Sequence, residues 1–140
     1  MAKNLLYFML GNVEMAKIST QQLIEITHDS DFRDMLFDDL SEYEKFYNRI
    51  LQLKTSGDRL KNVSPLAAVC IRAAINAKTA RDKSPRRMSE MLINGFVRGI
   101  RDIEEKIVKA VKCNERREVI VLAKDYRRHL VANIERYRKI

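Results

Sequence analysis

Tryptophan is missing from this 140-residue chain, and glycine, proline and cysteine are scarce, at four, two and two residues. Each shortage excludes something. Cys70 and Cys113 stand too far apart in sequence to suggest a disulfide framework or zinc-ligand spacing, so both read as ordinary reduced thiols. No apolar run approaches the roughly 20 residues that a membrane span needs, and no secretory leader is visible. The expectation is a cytoplasmic protein without a membrane partner. So little glycine and proline leaves little punctuation for sheets and turns. The length fits one domain, residues 1–140, able to bury roughly 70% of its unfolded surface without covalent staples.

Charge is plentiful and uneven. The formal net charge is +8, yet residues 1–58 carry 6 Lys/Arg against 10 Asp/Glu, leaving 21 against 9 for residues 59–140. Glu25, Asp29, Asp31, Asp34, Asp38, Asp39, Glu42 and Glu44 form an acidic run relieved only by Arg33. One acidic shoulder on an otherwise basic molecule follows. The basic residues gather around Lys78–Arg87 and along residues 116–139, as a nucleic-acid surface would require. Without tryptophan or a recognition-helix motif, and with charges spread around a solvent face, nucleic-acid binding is not the favoured reading.

Periodicity predicts four long helices and one short one. At about 100° per residue, a first helix over Lys3–Thr27 carries Leu5, Leu6, Met9, Leu10, Val13, Ala16, Thr20, Leu23 and Ile24 on one stripe. The second starts at Asp29 or Ser30 and points Phe32, Leu36, Phe37, Leu40, Tyr43, Glu44, Tyr47, Ile50 and Leu51 inward, with Gly57 closing it. Ser64-Pro65 and Ser84-Pro85 are cap-plus-proline starts for a short alanine-rich helix and for a long helix ending near Lys112. Asn114 is read as the cap of the last helix, whose stripe is Val119, Leu122, Ala123, Tyr126, His129, Leu130, Asn133 and Tyr137.

Connection lengths set the expected topology. The first two long helices and the last two are joined by turns of a few residues, so each pair is an antiparallel hairpin. Nearly thirty residues separate the hairpins, enough to run back along helices of roughly 36–42 Å. The predicted fold class is therefore all-α: a four-helix bundle with one long crossover containing a short helix, the ferritin-like arrangement. Counting about fourteen residues from either turn brings Glu44, Gly99 and His129 to one mid-bundle level. The candidate polar layer is Glu44, Tyr47, Tyr126, His129 and Asn133, with Gly95 and Gly99 as candidate cavity-lining positions.

At Gly11-Asn12-Val13-Glu14-Met15, Ser41-Glu42-Tyr43-Glu44, Met88–Gly95 continuing to Gly99-Ile100, and Asn133-Ile134-Glu135, the chain resembles the ferritin-like superfamily. Within it, the chain looks like small bundle proteins of clostridial-type bacteria. The resemblance implies a di-iron layer built from a Glu on each of two helices and Glu-x-x-His on each of the other two. Here Tyr47 stands for one His, Tyr126 for one Glu, and Val13 or Ala16 and a glycine occupy the other positions. Glu44 and His129 are the only candidates left for a metal, too few for a dedicated site. No cofactor is expected. The leading expectation is a structural or interaction protein. A residual metal-binding or redox protein is the first alternative and a basic nucleic-acid-associated protein the second.

A second apolar stripe points to self-association. Phe8, Met15, Ile18 and Ile26 on the first helix, and Met35, Phe46 and Leu53 on the second, fall outside the core stripe. The short helix is too small to cover both sets. A homodimer with Phe8 or Phe46 near its interface is expected.

Overall fold

A computed structural model describes residues 3–140, with side chains from Leu5 onward. It is all-helical, with no strand among the described residues. The helices are α1 (Lys3–Ile26), α2 (Ser30–Leu53), α3 (Pro65–Thr79), α4 (Pro85–Lys112) and α5 (Arg117–Arg138). No helix is long and apolar enough to cross a membrane.

The starts follow the local chemistry. Asp29 accepts from the Phe32 amide at 2.8 Å, Ser64 from Ala67 at 3.1 Å and Ser84 from Arg87 at 3.2 Å, each satisfying an amide that the first turn leaves free. Pro65 and Pro85 open their helices, where a missing N–H costs nothing. Two end signals differ from expectation. Helix α2 stops at Leu53, and Gly57 lies beyond it in a Thr55–Asp58 turn held by the Asp58 carboxylate on the Thr55 amide. Asn114 is no cap of α5. It sits at φ 56° just past α4, with Asn114 N–H bonded to Val111 O and Glu115 N–H to Ala110 O. That bond pair is the left-handed termination usually given to glycine, and asparagine tolerates it. Helix α5 instead begins after Arg116, without a side-chain cap.

Contacts between helices fix the order. Lys106 lies 6.0 Å above the Phe8 ring, and Gly99 sits against Asn12, so α1 and α4 run antiparallel. Arg136 reaches Asp39 near one end of α2, Arg49 reaches Asp125 at 2.8 Å, and Arg116 donates to Leu53 O at 2.8 Å at the other end. Helices α2 and α5 are therefore also antiparallel. The crossover travels back along α1: Asn62 meets Tyr47, Val63 lies beside Glu14, and Asn76 accepts from Gln22 at 2.7 Å. Helix α3 packs on the outside of α1 rather than in the core.

The interior is built on a seven-residue repeat. Buried positions on α2 are Phe32, Leu36, Asp39, Tyr43, Phe46 and Ile50, spaced alternately four and three, and on α5 the run 119, 123, 126, 130, 133, 137 has the same spacing. The stripe of α5 is as the sequence predicts, save that His129 is only half-buried. That of α2 is rotated. Phe37 and Leu51 are exposed, whereas Phe46, expected outside, is buried against Tyr126 at a centroid distance of 5.2 Å. The rotation carries Asp39 into the core and Glu44 out of it.

Candidate functional site

The polar groups that meet inside the molecule lie along the seam between α2 and α5. Asp39 is 1% exposed at a core position of the α2 repeat. Its carboxylate accepts from Arg136 at 2.5 Å and from the Tyr137 hydroxyl. Arg136 also donates to Asn133 Oδ1 at 3.0 Å. The Asn133 amide nitrogen faces the Tyr43 hydroxyl at 3.5 Å and His129 Nε2 at 3.2 Å. Every polar atom of the Asn133 side chain is thus engaged. Its oxygen is committed to a cation, so its nitrogen must donate, and His129 Nε2 accepts, which leaves the ring proton on Nδ1.

Electrostatics agree with that assignment. Burial lowers the His129 pKa, outweighing the upward pull of Asp39 and Glu42, while Arg136 adds to the lowering. Burial also pulls the Arg136 pKa down, but its bond to Asp39 and the charge beside it leave a net upward shift. Burial raises both Tyr43 and Tyr137, helped at Tyr43 by Tyr126 and then Asp39 and at Tyr137 by Asp39, so both hydroxyls stay protonated. Burial alone raises Tyr126. At the wetter end of the seam, the Arg49 hydrogen bond holds Asp125 below the usual carboxylate range.

A second polar contact sits one helix over. The Tyr126 hydroxyl, on a fully buried ring, donates to Asn12 Oδ1 of α1. The Asn12 amide also packs 3.5 Å from where a Cβ on Gly99 would stand. A Cβ at Gly99 would therefore stand in ordinary contact with Asn12 and Leu130, which places Gly99 against α1 and α5.

The expected mid-bundle layer is only partly assembled. Tyr126, His129 and Asn133 face the interior together, with rings packed edge-on: Tyr43 against His129 at 5.5 Å, and Phe46 against both His129 and Tyr126. Glu44 and Tyr47 do not join them. The Glu44 side chain is 48% exposed and forms an ion pair with Lys17 of α1 at 2.9 Å; Lys17 also lies 4.4 Å over the Tyr47 ring. The Tyr47 hydroxyl turns to Asn62 of the crossover. Burying Tyr43 and Phe46 places 44 and 47 on the flank toward α1. Gly95 is exposed, and Gly99 adjoins Asn12 and Leu130, so the glycines line no cavity beside Glu44, Tyr47 and His129.

Nor do Glu44 and His129 form a metal-binding pair, since one faces Lys17 and the other Asn133. Among the described residues no three of His, Cys, Asp and Glu gather closely enough to hold a metal ion. The donor set does not fit the di-iron layer that the ferritin-like resemblance implies.

Asp39, Arg136 and Asn12 escaped sequence reasoning. Asp39 was hidden inside the acidic run, although it lies seven residues after Phe32 and seven before Phe46, a spacing that marks it as internal. Nothing comparable marks Arg136 or Asn12. Compared with known protein families, curated proteins and solved structures, the chain matches none.

Proposed function

We propose that this chain is a ferritin-like bundle in which a hydrogen-bonded seam stands where a metal layer would be, and that it serves as a structural or interaction protein rather than an enzyme. The observation that carries this reading is the Asp39–Arg136–Asn133–His129 chain. It spends the polar groups of the α2–α5 seam on one another and turns His129 Nε2 to the Asn133 amide. The helix order supports the ferritin-like part: two antiparallel hairpins, with a crossover that runs back along α1. A buried, satisfied polar network favours one register over its slipped alternatives, which is what a scaffold needs.

The test is metal analysis of protein purified without chelator, paired with melting curves in added Fe(II) or Mn(II). Substoichiometric metal and an unchanged midpoint are expected. Stoichiometric metal whose stabilisation disappears in His129→Ala would overturn the reading.

The nucleic-acid alternative loses ground on α5. Arg127, Arg128, Arg136 and Arg138, and Arg116 just before the helix, each have a carboxylate within 4.0 Å, so much of the positive charge there is locally neutralised. Duplex DNA should bind weakly and be released by moderate salt.

A further inference from the structure

We infer that a cavity inside the bundle is a binding site for a small neutral molecule of about benzene size that carries a hydrogen-bond acceptor such as a carbonyl oxygen. The inference goes beyond the scaffold reading and does not depend on it.

The cavity lies between α1 and α4 and reaches across the core to Tyr43 of α2 and Leu130 of α5. All four long helices therefore contribute to its wall. Its volume is about 160 Å³, close to the roughly 150 Å³ that holds one benzene molecule in an apolar protein interior. Met15 and Gly95, both exposed, mark its mouth, and the buried Tyr43 and Leu130 its inner end.

No charged side chain lines this space. Other hollows of the molecule differ. Arg98, Asp102 and Lys106 line the neighbouring groove along α1 and α4, and Arg49, Arg117 and Glu118 line the one between α2 and α5. An ion entering the uncharged cavity would lose its water and meet no opposite charge, so the occupant is neutral. Water alone fills it poorly. Several molecules would be needed, each seeking roughly two to four polar partners, and Met91, Phe96 and Leu130 offer none.

Unspent donors set the polar requirement. Tyr43 is 1% exposed, and its hydroxyl accepts from Asn133 at 3.5 Å, yet its own proton reaches no acceptor among the described residues. A buried tyrosine hydroxyl ordinarily places that proton on a partner. The Asn12 oxygen takes the Tyr126 proton, which leaves the Asn12 amide nitrogen without an acceptor among the described residues. Thr20, a buried hydroxyl on the same wall, spends its proton on Ala16 O at 2.7 Å. Two donors from different helices thus line one cavity, and what they lack is an acceptor.

An NMR titration of the full chain with cyclohexanone, and with benzene as an apolar control, tests this. Both should shift the methyl signals of Met15, Met91 and Leu130 saturably. Tyr43→Phe keeps the ring and deletes the donor, so it should weaken cyclohexanone about three- to tenfold and leave benzene unchanged. Gly95→Leu adds a side chain that starts in open space at the mouth, so it should keep the fold and abolish both. The inference is overturned by an absence of saturable shifts, by shifts scattered over the surface, or by benzene binding without cyclohexanone. Cyclohexanone binding unchanged in Tyr43→Phe would overturn the acceptor requirement. Should Tyr43→Phe fail to fold, binding that survives Gly95→Leu would overturn the site. Metal content enters none of these readouts, so failure here leaves the scaffold reading standing.

Discussion

The two seams that join one hairpin to the other are built on opposite plans. Between α2 and α5, Asp39, Arg136, Asn133 and Tyr137 close a polar chain inside the core, and a separate Arg49–Asp125 pair joins the same two helices nearer the surface. Between α1 and α4 the side chains thin out to Gly11, Gly95 and Gly99, and an open groove remains. The same antiparallel pairing therefore supports two purposes. The polar seam sets register, because a slip would strand a buried carboxylate. The glycine seam is the looser of the two, since a Cβ at Gly11 or Gly95 would meet nothing within 4 Å.

Breaking the polar seam should have the largest effect. Arg136→Ala leaves the buried Asp39 carboxylate with the Tyr137 hydroxyl in place of a cation, and should lower stability by about 2–4 kcal/mol in chemical denaturation. Replacing both charges, as in Asp39→Leu with Arg136→Met, should recover part of that loss, because position 39 falls on the apolar repeat of α2 while the buried Tyr137 hydroxyl loses its acceptor. A double variant as unstable as Arg136→Ala would show that the seam contributes packing no apolar pair can replace.

The link between the two seams ranks next. Tyr126→Phe removes the bond to Asn12 but keeps the buried ring, and should cost about 1 kcal/mol. A loss above about 3 kcal/mol would mean that Asn12 organises the α1–α4 seam as well.

On the glycine seam the sign should reverse. Gly11→Ala or Gly95→Ala should raise monomer stability by about 0.5–1 kcal/mol, read in dilute solution, since the new methyl group meets no neighbour. A destabilising result would place an unseen clash beside those residues and erase the contrast.

The smallest effect is a pH dependence, carried by one half-buried group. The His129 pKa lies below the ordinary 6.5 in the folded chain and returns to it on unfolding, so near and below 6.5 the unfolded chain binds more protons than the folded one. The stabilising contribution of neutral His129 is complete above pH 6.5 and declines as pH falls toward the folded pKa. His129→Gln should flatten that part of the stability profile. A profile unchanged by the substitution would assign the slope to other groups.

Much of this was legible beforehand. The cap signals at Asp29, Ser64 and Ser84 act within four residues, so they read correctly without tertiary knowledge. The α5 stripe was legible because its apolar residues keep a narrow seven-residue repeat with charges between. The α2 stripe was not. Phe37, Tyr43, Phe46, Tyr47 and Leu51 offer apolar side chains over much of the helix, and acidic residues lie on both candidate faces. Periodicity averages over such a helix and cannot place its centre.

The sequence alone determined the helices, their lengths and the reach of the crossover, because capping and periodicity are local and chain length limits where a connection can go. Tertiary structure alone decided which acidic residue went inside. Asp39 is buried because Arg136 and Tyr137, nearly a hundred residues away, meet its carboxylate, whereas Glu44 has Lys17 and water. A carboxylate's burial depends on its partners, and partners so distant in sequence meet only when helices pack.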